Sequence, residues 1–329
     1  FGRHIATTTC NAEGQQLVTT YWQEGIERLT ENHRTGDLIL TLKEQPMRIF
    51  KSRLDFYVFY LEYRGFDLDR IIYNTLAMSF SVSLKLGNKG IAGQDLLVWQ
   101  ESLSDNLPGN MQIILTNQPV RTKKILIPHT ETYHRALQLT PTEQHSFFGP
   151  LGYIYDFTKN DVIRKDAFVL TNSDQLEAMS YLVTQAPNVT FRIAALTEMS
   201  PTLLSMVQYP NVVLYQNISQ NRIKELLNVS SVYLDINHYG EVQEIVRKAF
   251  EHKQVILGFA HTLHDRRYIA RENIFEQGKE ADLVNRIKEI YQSVDRYEEA
   301  LASQISQSSA VDKEVFRARF QAGLGDENV

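Results

Sequence analysis

Cysteine is nearly absent: Cys10 is the single thiol among 329 residues. One thiol excludes an internal disulfide framework and any multi-cysteine metal site. A reducing, cytoplasmic setting is the simplest reading. No uninterrupted apolar run reaches about 18 residues, so no membrane-spanning helix is expected. Neither sign of charge dominates, with 34 Lys and Arg against 39 Asp and Glu and a net charge of −5. That balance argues against nucleic acid as a partner, because a general phosphate-backbone binder carries a basic patch. The first ten residues are polar and include Arg3 and His4, which is not a secretory leader. The chain starts at Phe1 in the middle of a strand-like pattern, so a preceding part is expected. Neither a G-x-S-x-G elbow nor a phosphate-cradling P-loop occurs. Gly87, Gly90 and Gly93 have the wrong spacing for a dinucleotide fingerprint and read as a mobile loop.

What is present divides into four stretches. Residues 1–50 carry strand-like runs rich in Thr, Ile, Leu and aromatics, punctuated by Gly14, Gly25 and Gly36. They read as a β-meander, whose edges suit a partner or an extended polypeptide. Residues 51–157 alternate strands and helices, a first Rossmann-like half. Ser52 is a candidate cap for a helix ending at Gly65 that is apolar nearly all round, hence buried or gripping a partner. Leu151–Phe157 reads as the last strand of this half. The polar run Thr158–Asp166 is the expected hinge. Residues 158–272 form a second Rossmann-like half, in which Ala167–Phe259 reads as strand, helix, strand, helix, strand, helix, strand. Its expected helices include Gln175–Gln185 and Glu241–His252. Residues 273–329 are read as C-terminal helices, with one apolar stripe running from Leu283 to Leu301. The fold class is α/β: two Rossmann-like halves facing a cleft, of the GT-B kind.

Parallel sheets bind ligands where the carboxyl ends of the strands meet their loops. In the second half those ends carry Asn172, Ser173, Glu198, Asn217, Asp235, Asn237, His238 and Glu241, the candidate acceptor or sugar-binding residues. Asp235 and Asn237 are equally suited to turns and caps. His261 and His264 stand three apart in the next loop, without a third His or Cys near by, so no metal site and no cofactor are expected. A nucleotide-sugar transferase of this architecture must neutralise a departing diphosphate. The loops after the first two strands read TNSDQLEA and TEMSPT, without Arg or Lys. Retaining transferases of this fold also place two glutamates eight residues apart near the fourth strand. Tyr239 and Arg247 stand there instead. The scaffold is kept while the donor chemistry is lost, and no catalytic residue is assigned.

The blocks GDLILTL, RIIYNTLAMSFSVS, LLVWQESLSDNLPGNMQIIL, RTKKILIP, FVLTNSDQLE, FRIAALTEMSP and YLDINHYGE occur here in order. Over residues 1–275 the chain resembles the GtfB-type subunit of the streptococcal serine-rich-repeat adhesin glycosyltransferase. The resemblance implies an N-terminally truncated, non-catalytic, GT-B-folded subunit that stabilises a GtfA-type catalytic partner. It further implies binding of the Ser/Thr-rich adhesin acceptor while the first O-linked GlcNAc is added from UDP-GlcNAc, ahead of accessory Sec export. The implied place is the cytoplasm, with peripheral contact at the inner face of the membrane. The alternative is a self-sufficient retaining glycosyltransferase of the same fold.

Overall fold

The computed structural model describes residues 3–116, 120–158 and 163–325. The expected hinge falls partly on residues 159–162, outside the described residues. The chain forms two compact units, residues 1–151 with 317–329, and residues 152–316.

The first unit opens with a five-stranded antiparallel sheet in sequential order. Its strands are β1 (Ala6–Cys10), β2 (Gln16–Gln23), β3 (Ile26–Asn32), β4 (Leu38–Leu40) and β5 (Arg48–Phe50). Helix α1 (Arg53–Tyr63) starts where the Ser52 side chain accepts the Asp55 amide. Only Val58 of its residues is buried, and Tyr57, Tyr60 and Tyr63 are exposed. Of the two expectations for this helix, burial or gripping a partner, all-round burial is thereby corrected. The tyrosine hydroxyls gain solvent when their rings lie on the surface.

A parallel sheet follows, built from β6 (Ile72–Tyr73), β7 (Asp95–Val98), β8 (Thr122–Ile127) and β9 (Phe148–Pro150). Helices α2 (Met78–Asn88), α3 (Gly109–Leu115) and α4 (Thr130–Gln138) connect them. Phe80, Leu97, Trp99, Met111, Ile125 and Ile127 pack the core. The strand expected at Leu151–Phe157 is instead β9, upstream of it. Residues 152–316 belong to the second unit.

The last glycine of the run, Gly93, lies against a buried ion pair. Arg121 reaches Asp95 at 2.9 Å, with both side chains almost wholly buried. The guanidinium also donates to Ala92 O at 2.8 Å and to Leu68 O. Ser83 donates to the Asp95 carboxylate at 2.6 Å. A Cβ on Gly93 would lie 2.2 Å from the Arg121 guanidinium, so the glycine makes room for that cation. Arg121 thus holds the Ile91–Gly93 end of the run, while Gly87 lies in the last turn of α2, so only part of the run is loop.

The second unit holds a six-stranded sheet, parallel throughout. In chain order it comprises β10 (Asp166–Thr171), α5 (Met179–Gln185), β11 (Thr190–Ala195), α6 (Pro201–Ser205) and β12 (Val212–Tyr215). It continues with α7 (Gln220–Val229), β13 (Val232–Asp235), α8 (Ile245–Glu251), β14 (Val255–Phe259) and β15 (Ile274–Phe275). The spatial order is β12-β11-β10-β13-β14-β15. Successive strands step one way to β12, then the chain returns to the other side of β10. One sheet face buries Val169, Phe191, Leu234 and Leu257. The opposite face buries Phe168, Leu170, Tyr233 and Ile256. Alternate residues thus serve two apolar layers, as a doubly covered parallel sheet requires.

Helices α5 and α8 begin later than the sequence pattern suggests. Ala178, Gln243 and Glu244 have positive φ, between 53° and 57°, just before the first helical turns. Ala, Gln and Glu are all good helix formers, so tertiary contacts override local propensity here. The C-terminal stripe is two helices, α9 (Glu280–Ile290) and α10 (Val294–Gln307), with Ser293 capping the second. The last helix is α11 (Lys313–Leu324). No helix among the described residues is long and apolar enough to cross a membrane.

Candidate ligand site at the strand-order reversal

Strand order reverses between β10 and β13, the place in an open parallel sheet where ligands meet the loops at the carboxyl ends of the strands. Backbone pairing draws the two loops together. Leu176 and Asn237 form an isolated antiparallel bridge. Glu177 N–H donates to Ile236 O at 2.8 Å, and His238 N–H to Gln175 O at 3.1 Å. Side chains complete the seam. Asn237 donates to Asn172 Oδ1 at 3.2 Å and accepts from Ser173 Oγ at 3.0 Å. It also bonds the backbone of Tyr239 as both donor and acceptor.

Asn172, Ser173 and Asn237 therefore come together as expected from their strand-end positions. Their availability differs. Asn237 is buried and its amide is fully occupied. Asn172 is exposed.

Asp235 is corrected from a ligand-facing to a positioning residue. It is 1% exposed. Its Oδ2 accepts the His264 amide at 2.8 Å, and its Oδ1 faces His264 Nδ1 at 2.5 Å. His264 Nε2 meets Tyr239 O at 2.5 Å. Both ring nitrogens face acceptors, so the ring carries two protons. The hydrogen bond to Asp235 is the main cause raising the His264 pKa to about 9. The imidazolium ties the loop after β14 to the loop after β13.

Glu241 caps α8: its Oε1 accepts the Val246 amide at 2.9 Å. A carboxylate at a helix start satisfies an orphan amide and opposes the positive end of the dipole. Glu198 and Asn217 are exposed in the loops after β11 and β12. The Asn217 amide donates to Thr197 O at 3.1 Å, which joins those two loops.

His261 and His264 do not share a site. His261 turns to Glu177, which also holds His238. The Glu177 Oε2 atom lies 2.6 Å from His238 Nε2 and 3.2 Å from His261 Nε2. These hydrogen bonds hold the Glu177 pKa below its ordinary value against a burial effect that raises it. Sequence reading missed Glu177, which lies 61 and 84 positions from its two partners. Its one local signal was the place just after a strand end. Beside the seam lies a depression of about 260 Å3, lined by Asp174, Leu176, Ala178, Met179, Tyr181 and Met206 among others.

The GtfB middle-domain family matches residues 1–51 and the GtfB third-domain family residues 53–139. The GftB/GlyA-F C-terminal-domain family matches residues 167–304. A protein of Streptococcus gordonii is 49% identical over 328 residues, covering 99% of this chain and 72% of its own length. The chain belongs to the GtfB family. That relative is named UDP-N-acetylglucosamine–peptide N-acetylglucosaminyltransferase stabilizing protein GtfB. A relative of the same name from Streptococcus pneumoniae serotype 4 is 47% identical over 326 residues, covering 99% of this chain and 73% of its own. A solved GtfA/B complex bound to UDP and GlcNAc superposes with a TM-score of 0.89 at 49% identity. It covers 98% of this chain and 72% of the matched one. TarM superposes with a TM-score of 0.56 at 14% identity, covering 99% of this chain and 69% of its own, a likeness of fold alone. The fold class expected from the sequence, α/β of the GT-B kind with an antiparallel sheet at the start, holds.

Proposed function

We propose that this chain is the non-catalytic subunit that stabilises a GtfA-type glycosyltransferase and holds its Ser/Thr-rich polypeptide acceptor, including stretches already bearing GlcNAc. Its curated GtfB relatives are named stabilizing proteins of the transferase, not the transferase itself. The acceptor in this reading is a serine-rich-repeat adhesin, modified in the cytoplasm or at the inner membrane face before accessory Sec export.

One observation carries the acceptor-holding role. The loops at the strand-order reversal present amides, hydroxyls, imidazoles and carboxylates, and the loops after β10 and β11 contain no Lys or Arg. Asp174, Glu177, Glu198 and Glu241 would oppose a diphosphate. The helix start that could receive one already holds the Glu241 carboxylate. The same groups suit the hydroxyls and acetamido group of a neutral sugar. Asn172, Glu198, Asn217, His238 and Glu241 are the proposed sugar-facing groups, with Ser173, Asp235 and Asn237 positioning them. A disordered acceptor binds weakly per contact, and a second subunit that holds it raises its effective concentration at the catalytic one.

Parallel calorimetric titrations of the chain test this. GlcNAc-modified Ser-rich peptide should give saturable heat and UDP-GlcNAc none. Asn172→Ala should weaken peptide binding about tenfold, the worth of one to two hydrogen bonds. Donor binding or donor hydrolysis by the chain alone would instead establish the self-sufficient transferase. Peptide affinity unchanged by Asn172→Ala would remove these loops from the acceptor path.

A further inference from the structure

The acceptor reading leaves unexplained why two imidazoles and one carboxylate converge on a single point. We propose that Glu177, His238 and His261 form a binding site for a divalent transition-metal ion of the zinc class.

The three donor atoms all lie within 4.8 Å of one another. They come from three separate loops, after β10, β13 and β14. The Glu177 and His238 backbones are fixed against each other by the bridge between Leu176 and Asn237. His261 follows Ala260, whose amide is anchored to Phe275 O at 2.8 Å. Each imidazole points its Nε2, the outer ring nitrogen, at the same carboxylate oxygen. The His238 and His261 rings stand 5.5 Å apart at 47°, splayed rather than stacked.

Two neutral imidazoles and a carboxylate form a donor set that suits zinc and its neighbours, and is too nitrogen-rich for calcium or magnesium. Zinc bonds of about 2.0–2.1 Å to N and O place tetrahedral donors roughly 3.3 Å apart. The 3.2 Å separation of Glu177 and His261 already meets this. The 2.6 Å separation of Glu177 and His238 is a hydrogen-bond length and must open by a few tenths of an ångström. The His238 side chain is 35% exposed and the His261 side chain 32%, so both have room to turn. Three protein ligands leave at least one coordination position towards solvent, as in zinc sites that receive a further oxygen ligand.

The proton balance is simple. In the metal-free protein each imidazole can donate its Nε2 proton to Glu177. On metal binding, a neutral ring moves that proton to Nδ1 and offers the freed Nε2 lone pair. No net proton is released, unless a ring was protonated, in which case one proton leaves for each such ring.

The site is tested with zinc and cobalt(II) salts on the full chain after chelator dialysis. One zinc should bind per chain in calorimetry, and the melting temperature should rise with zinc. Cobalt(II) should give the visible absorption of a four- or five-coordinate ion. His261→Ala and Glu177→Gln should each weaken zinc binding at least 50-fold, while His134→Ala, in the first unit, should not change it. Sub-stoichiometric heat, an octahedral cobalt spectrum, or zinc affinity indifferent to both site variants would overturn the proposal. Glu177→Gln retains the shape and the backbone pairing, so a folding defect of His261→Ala does not obscure the result. None of these readouts involves peptide, so a failed acceptor reading and a failed metal site are told apart.

Discussion

At the residue scale, His264 is the clearest electrostatic lever. Its folded pKa of about 9 stands above the ordinary value of about 6.5 in an unfolded chain. A group whose folded pKa is raised stabilises the fold fully below the unfolded pKa. That stabilisation fades as pH rises towards and through the folded pKa. The contribution of His264 is therefore complete near pH 6 and largely gone by about pH 9.5. Thermal melts across that window should show stability falling with pH, and His264→Gln should flatten the slope. An identical slope in the variant would mean the imidazolium is not what ties the two loops. The same residue shows what the sequence withheld. Spacing alone set His261 and His264 side by side in one polar loop, and the fold sends one ring to Glu177 and the other to Asp235. Spacing in a loop says little about ring direction, since the backbone turn between the two residues is set by contacts from other strands. Asp235 was legible as a strand-end residue. Its burial was not, because that depends on His264 closing over it.

At the scale of elements, β13 and β14 meet unusually closely at their carboxyl ends. A Cβ on Gly258 would lie 2.4 Å from Asp235 O and 2.6 Å from a Leu263 methyl. Gly258→Ala must push the strand end or the His264 loop away, and overpacking of this kind typically costs about 1–3 kcal/mol. Denaturant unfolding should show that loss, together with weakened peptide binding. Undiminished stability would imply that the strands separate without strain. Regular elements were largely readable from the sequence. The Ser52 cap and the run of apolar strands in the second unit follow from local chemistry and periodicity. Helix starts were not. Ala178 and the pair Gln243-Glu244 adopt left-handed backbone where composition favours continued helix. The stripe from Leu283 to Leu301 kept helical spacing straight across the break before Val294, so periodicity alone could not locate two helices there.

At the scale of the whole molecule, the chain divides into two units with separate apolar cores, the first taking in residues 317–329 from beyond the second. Chains of this kind need not unfold in one cooperative step. Gly93→Ala would drive a methyl group into the Arg121 guanidinium, and breaking a buried ion pair typically costs about 3–5 kcal/mol. Hydrogen exchange read unit by unit should show that loss in residues 3–116 and 120–151, with the second unit largely spared. Gly258→Ala should give the reverse pattern. Equal loss in both units for either variant would show that they unfold as one. The order of units was legible in the alternation of strands and helices. The boundary was harder, because Gly152–Phe157 is apolar enough to pass for a strand yet packs with the second unit, where Tyr155 meets Phe250 and Tyr268 edge-on.

The antiparallel bridge between Leu176 and Asn237 has a kinetic meaning. It makes two loops from distant parts of the chain move as one body, so the Glu177 and His238 amides should exchange with solvent at a common rate. The ordering cost of the site then falls on folding rather than on capture. A ligand seated there gains little by tightening the loops further. Its residence time should follow the contacts it makes itself.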